Sequence, residues 1–200
     1  MKRLATLIIA AGNSSRLGQP KQLVAMGGQS LLRRTAQLAL QHNDNVFCVL
    51  GYQPTLIANE INDLPLTSLL HKDWQVGMGS TIAHGVEEIA GRYDAALILL
   101  CDQWALTGDD LQNLINRWQR SPDTIVASQY FDARLNRQVQ GAPAIFPRAY
   151  FPQLRQLTDT GARKILQQNS NQVNSVTLKS AAFDLDTPTD LAYFQQVNSQ

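Results

Sequence analysis

Residues 4–21 read LATLIIAAGNSSRLGQPK, and their reading decides the fold. The first seven are apolar or β-branched without polar alternation, which is the pattern of a strand covered on both faces. A signal peptide would also open with basic residues and an apolar run. Here, however, the run stops at Gly12, and no A-x-A cleavage pattern follows. Leu4–Ala10 is therefore read as a buried first strand. Similar runs at residues 45–50, Ala95–Leu100 and residues 124–128 extend the reading, with weaker candidates at 66–71 and 175–178. Amphipathic stretches lie between them. Ser30 can cap a helix whose Leu31, Leu32, Ala36, Leu38 and Ala39 share one side. Pro54 opens a helix to about Asn62, and residues 80–90 carry the stripe Ile82, Val86 and Ile89. Thr107 and Thr187 each stand three residues before an Asp, a capping-box-like helix start. This alternation predicts three layers: a mostly parallel, mixed central sheet with helices on both faces, in one domain over residues 1–200. Residues 129–140 are polar and break the rhythm, so they read as an insertion or hairpin near the sheet edge.

Composition narrows the function classes. Hydrophobic residues make up 44% of the 200, too many for a disordered chain. A formal net charge of +1 gives no field that would favour nucleic acid or a membrane surface. The longest apolar stretches are about seven residues, against the roughly 20 that span a bilayer. Cys48 and Cys101 sit in apolar runs and read as small core residues in a reducing cytoplasm, the expected location. There are 21 Gln and three Glu against thirteen Asp. Acid chemistry must therefore fall mostly to aspartates.

In open α/β sheets ligands collect at the carboxyl ends of the strands. After the first strand come Ala10, Ala11 and Gly12, and then Arg16 and Lys21 within the same loop. Small residues let backbone N–H groups approach a phosphate chain, and the two cations suit one. Two standard phosphate motifs fail. Five residues separate Gly12 from Gly18, where a P-loop needs four, and no G-x-G-x-x-G is present. Composition alone leaves a flexible loop with incidental charges as the other reading.

The stretch AAGNSSRLGQPK resembles the signature loop of nucleotidyltransferases, A-[AG]-G-x-[SG]-x-R-[ML]-G-x-x-K. The likeness continues in GMGSTIAHG (residues 77–85), CDQWALTGDDL (101–111), GAPAIFPRAYFPQL (141–154), LTDTGARKIL (157–166) and DLDTPTDL (184–191). Their order and spacing resemble the MobA-like NTP transferase group, with the molybdenum-cofactor cytidylyltransferase type as the nearest branch. The resemblance implies the three-layer Rossmann-like nucleotidyltransferase fold. It also implies that Ala10, Ala11 and Gly12 hold the nucleotide, that Arg16 and Lys21 neutralise its triphosphate, and that Asp102 and Asp186 bind Mg²⁺. Gly79, Ser80 and Thr81 would contact base or ribose, and Gly141 and Pro143 would shape the acceptor wall.

Each assignment has a plainer counterpart. Asp102 could be a turn aspartate, and Asp186 part of a helix entry. Ser80 and Thr81 could be N-caps, and Gly141 with Pro143 a turn into a strand at residues 144–146. Asp184 is read as facing away from Asp186, which leaves one of the pair for the metal. His42, His71 and His84 show no ligand or triad spacing. Trp104, Thr158 and Ala142 depart from the family pattern, the first beside Asp102 and the other two on the acceptor side. The expected reaction is Mg²⁺-dependent transfer of a nucleotidyl group, CMP from CTP, to a phosphorylated acceptor such as a molybdopterin-type cofactor, with release of pyrophosphate. A methyl at Ala11 would narrow the base site in favour of a pyrimidine. A molybdoenzyme or maturation factor is the protein partner that the resemblance implies. The alternatives are a sugar- or polyol-phosphate nucleotidyltransferase, or an accessory protein that handles nucleotide and pterin without turnover.

Overall fold

A computed structural model describes residues 2–198. Strand β1 (Leu4–Ala10) is buried at every position, as its unbroken apolar run requires. After a short ribbon of β2 (Ala25–Met26) and β3 (Gln29–Ser30) come α1 (Leu31–Leu40), β4 (Val46–Leu50), α2 (Pro54–Ala58) and β5 (Thr67–Leu70). Then follow α3 (Met78–Ile89), β6 (Ala95–Leu100), α4 (Gly108–Arg120), β7 (Ile125–Asp132) and β8 (Arg137–Pro147). Two short helices, α5 (Phe151–Leu154) and α6 (Arg163–Gln168), precede β9 (Val173–Thr177) and α7 (Pro188–Asn198).

Seven strands form one sheet in the order β5-β4-β1-β6-β8-β7-β9. Among the described residues β8 alone runs against its neighbours, so the sheet is mostly parallel and mixed, as the sequence implies. Alternate residues of β1 leave on opposite faces. Leu4, Ile8 and Ala10 join a core that includes α1 and α4, whereas Ala5, Leu7 and Ile9 join a second core under α3, α5 and α6. A smaller cluster of Leu17, Leu31, Trp104, Leu185 and Phe194 fastens α7 and its entry segment against the first loop. No helix of the described residues is long and apolar enough to cross a membrane.

Several boundaries differ from the pattern reading. The strand expected at 124–128 runs on to Asp132 because β8 pairs with it, and residues 129–140 are the β7–β8 hairpin. That hairpin lies inside the sheet, with β9 outside it. The helix expected to reach Asn62 ends at Ala58. The helix expected from Ser80 begins at Met78, entered through Gly77 at φ 140°, a conformation that L side chains rarely adopt. Both threonine capping boxes are present. Thr107 accepts from Asp110 N, Thr187 accepts from Asp190 N, and each Asp carboxylate accepts from the threonine N–H in return.

The first turn of α3 is set by how closely it approaches the 158–160 loop. A Cβ on Gly79 would sit 2.2 Å from Thr160 O and 2.8 Å from Thr158 O. Both are backbone atoms that cannot rotate away. Gly79→Ala should therefore cost about 1–3 kcal/mol, the usual scale of overpacking, and lower Tm by roughly 2–4 °C per kcal/mol for a chain of this size. Thermal unfolding of the variant checks this, and an unchanged Tm would mean that the loop yields without cost.

Candidate active site

β1 and β6 are parallel neighbours with Ile9 level with Leu100, so the segments leaving their carboxyl ends emerge side by side. One delivers the 10–21 loop and the other Asp102. The loop folds back through Ser14 at φ 55° and Gly18 at φ 79°. Leu17 N and Gly18 N both donate to Ser14 O, and Lys21 N donates to Ser14 Oγ at 3.1 Å. Gln22, 1% exposed, donates from Nε2 to Ala10 O and Gly12 O, both at 2.8 Å. The spacing that the sequence presents as a flexible loop is thus pinned from beneath by one buried amide.

The closing segment supplies the third part. Leu185 N donates to Asp102 O at 3.1 Å, and Gln103 forms an isolated antiparallel bridge with Asp184. This brings Asp186 over Lys21. Lys21 Nζ donates to Asp102 Oδ2 and, at 3.0 Å, to Asp186 Oδ1. Arg16 reaches Asp186 Oδ2 at 3.0 Å. The side chains of Lys21, Asp102 and Asp186 are 19%, 6% and 16% exposed, so their charges interact in a partly dry setting.

Burial alone would lower the Lys21 ammonium, but the Asp102 carboxylate, with Asp186, more than reverses this and raises it. Burial pushes Asp186 up, yet Lys21 and Arg16 pull it below the usual carboxylate range. Asp184 is raised to about 6 by burial and by the charges of Asp102 and Asp186.

Two connected hollows meet at this cluster. The first, about 280 Å³, is lined by Ala10, Gly12, Arg16, Lys21, Thr81 and Asp102, among others. The second, about 630 Å³, includes Trp104, Tyr130, Arg134, Gly141, Arg163 and Tyr193. Met78, Leu100 and Asp186 border both. A small chamber bearing Arg16 and Lys21 thus adjoins a larger, more apolar one bearing Arg134 and Arg163, with Asp186 on the border of both. That arrangement can bring two substrates together at one carboxylate.

Several expected site residues lie elsewhere. Ala11 is 1% exposed and lines neither hollow, so its methyl cannot touch a base directly. Gly79 and Ser80 also line neither. Gly79 packs on the 158–160 loop, while Ser80 N donates to Thr158 O and its hydroxyl donates to Gly77 O at 2.9 Å. Thr81 reaches the smaller hollow, although its hydroxyl also turns back to Gly77 O. Gly141 lines the larger hollow within β8 rather than in a turn, and a Cβ there would meet Tyr130 Oη at 2.8 Å. Pro143 follows a cis peptide in the same strand and is not part of either wall, whereas Ala142 is. Thr158 packs against α3 rather than the acceptor side. Asp184, expected to face away, borders the larger hollow together with Asp186.

Other residues have contacts that the sequence did not disclose. Gln103 Nε2 donates to Ala142 O and Ala181 O at 2.8 and 2.9 Å, tying the β6 exit to β8. Trp104 packs with Phe183, Tyr193 and Phe194. His71 is buried, stacks on His84 at 4.9 Å and bonds Ser80 Oγ at 3.0 Å.

Among the described residues no group of three or more His, Cys, Asp or Glu could hold a metal by itself. Two carboxylates do meet here, and Asp102 Oδ1 is buried without a hydrogen-bond partner. Mg²⁺ commonly takes one or two carboxylates together with substrate phosphates, so this donor set fits it.

Residues 6–173 match the MobA-like NTP transferase domain family. A relative from Nostoc sp. (strain PCC 7120 / SAG 25.82 / UTEX 2576), named probable molybdenum cofactor guanylyltransferase, is 28% identical over 98% of this chain and 92% of its own length. The nicotine blue oxidoreductase of Paenarthrobacter nicotinovorans is 27% identical over 90% of this chain and 91% of its own. A solved structure from Mycobacterium sp. strain JC1, a homologue of Mycobacterium tuberculosis rv0371c, superposes with a TM-score of 0.82 at 24% identity, covering 98% and 97% of the two chains. The chain belongs to the MobA-like NTP transferase family, and the enzyme is a nucleotidyltransferase.

Proposed function

We propose that this enzyme moves a nucleotidyl group from a nucleoside triphosphate to a phosphorylated acceptor of the molybdopterin type. The observation that carries the reading is the Lys21 ammonium held between Asp102 and Asp186 where the two hollows join. An acceptor phosphate oxygen would attack the α-phosphorus, the bond to the β-phosphate oxygen would break, and pyrophosphate would leave. A phosphate acceptor is already ionised at neutral pH, so no protein base is required. The chain's task is positioning and charge neutralisation. Arg16 and Lys21 turn from the carboxylates to the triphosphate, and the Ala10–Gly12 backbone, fixed by Gln22, cradles it. Asp102 and Asp186 would hold Mg²⁺, which when bound polarises phosphate oxygens and offsets their charge. The molybdopterin assignment draws support from the guanylyltransferase name of the Nostoc relative.

For the nucleotide, the reading is CTP, on the likeness of Ala10-Ala11-Gly12 to the cytidylyl-transferring branch. Because the Ala11 methyl is buried beneath the loop, it can act only through the backbone path of Ala10 to Gly12. GTP is the second reading, favoured by the names of the guanylyltransferase relatives. CTP should give the higher kcat/KM of the two nucleotides. Pyrophosphate release with molybdopterin and competing nucleotides measures this. Equal or better efficiency with GTP would establish the second reading and leave the transferase intact.

Removal of Lys21 tests the centre itself. Lys21→Ala should lower kcat by about two to three decades, the scale of one preorganised electrostatic contact. It should also cost about 3 kcal/mol in metal-free protein, because two partly buried carboxylates lose their shared counter-charge. Mg²⁺ should restore part of that stability, giving a larger metal-induced rise in Tm than in the unsubstituted protein. A variant that keeps its full rate would remove Lys21 from the chemistry.

A further inference from the structure

When a phosphorylated acceptor attacks a nucleotide, two anions meet, and their repulsion must be offset on both sides of the transferred phosphorus. On the nucleotide side stand Arg16 and Lys21. On the acceptor side, the cations that line the larger hollow are Arg134 and Arg163. Arg163 is engaged by Asp132 Oδ2 at 3.2 Å, away from the carboxylate cluster. Arg134 is placed differently. It occupies the turn of the β7–β8 hairpin, where its backbone N–H donates to Asp132 Oδ1 at 3.0 Å. Its guanidinium reaches out of that turn to Asp190 at 2.9 Å, Asp186 at 3.4 Å and Asp184 at 3.5 Å.

Asp186 is the common element. Its Oδ1 accepts from Lys21, and its Oδ2 lies 3.0 Å from Arg16 and 3.4 Å from Arg134. Arg134 therefore stands one carboxylate away from Lys21, on the wall from which the attacking oxygen must come. It is also easily released. Its side chain is half exposed, and two of its three contacts exceed the 2.7–2.9 Å of a good charge-assisted bond. Asp190 would not be orphaned by its departure, because its Oδ2 also accepts from Thr187 N and Oγ1 at 2.8 Å and from Asp186 N at 3.1 Å.

We propose that Arg134 is the acceptor-side phosphate ligand, carried by the hairpin turn and exchanged from Asp184, Asp186 and Asp190 to the incoming phosphate monoester. The remaining wall, with Ile82, Ile98, Leu100, Trp104, Phe146 and Tyr193, suits an apolar or planar body attached to that phosphate. The inference rests on the phosphorylated acceptor of the proposed function. It adds the residue that reads the phosphate and a part for the one segment that interrupts the strand–helix rhythm.

Phenyl phosphate, a phosphate monoester on a planar apolar body, is the probe. Its binding is measured by calorimetry in the presence of Mg²⁺ with the unsubstituted protein, Arg134→Ala and Arg134→Lys. The unsubstituted protein should bind it. Arg134→Ala should weaken binding roughly 10- to 100-fold, the worth of hydrogen bonds to a charged group, with an unaltered Tm, and Arg134→Lys should fall between. Undetectable binding by the unsubstituted protein, equal binding by Arg134→Ala, or displacement of the probe by inorganic triphosphate would overturn the proposal. Because this readout needs no turnover, it separates failure of the Arg134 assignment from failure of the transferase reading, which the pyrophosphate assay reports.

Discussion

One buried ammonium organises the site. Lys21 joins three stretches of chain that are far apart in sequence: the loop after β1, the exit of β6, and the entry to α7. Without a cation there, Asp102 and Asp186 would oppose each other across a partly dry gap, and the segment carrying Asp186 would lose a main tie to the sheet. Yet the same ammonium suits phosphate as well as carboxylate. A centre held together by ion pairs in the absence of ligand can thus be rearranged by an incoming polyphosphate and metal without refolding.

The fold makes that exchange possible by fixing everything around it. Gln22 clamps the carbonyls of Ala10 and Gly12, and Gln103 ties the β6 exit to β8 and to the segment at Ala181. Neither amide carries charge, so both hold their backbone whatever occupies the site. The aromatic group of Trp104, Phe183, Tyr193 and Phe194 secures α7 and with it the position of Asp186. The charged side chains, Arg134 in the hairpin turn among them, are the groups whose ion pairs an incoming ligand can exchange.

The parallel strands on the β1 side were legible because burial writes itself into composition, whereas the antiparallel β8 was not. A strand covered on both faces cannot alternate, so Leu4–Ala10 and Ala95–Leu100 were readable to their last residues. The threonine caps were equally plain, since their partners lie three residues away. The start of α3 was not. Ser80 and Thr81 look like caps, but Gly77 takes the entry because only a residue without Cβ fits against Asp159 there. Gly79, read as a nucleotide contact, proved to be a packing position for the same reason.

In the site, residues bearing charge at fixed spacing were visible, whereas residues acting through tertiary contact were not. Arg16, Lys21, Asp102 and Asp186 converge, as the family resemblance implied. Arg134 sits in a polar stretch with no periodicity, and nothing local shows that its turn folds back over Asp186. Asp184 accompanies Asp186 because side chains two residues apart on an extended segment share a face, and only immediate neighbours diverge.

The rate of pyrophosphate release by Asp102→Asn under saturating Mg²⁺, nucleotide and acceptor tests the carboxylate centre most directly. The substitution keeps the shape and removes one charge from the cluster. A fall of roughly 100-fold or more is expected if Asp102 takes part in the reaction centre. A rate within a few-fold of the unsubstituted enzyme, accompanied by collapsed stability, would instead make Asp102 a structural turn residue and contradict the account.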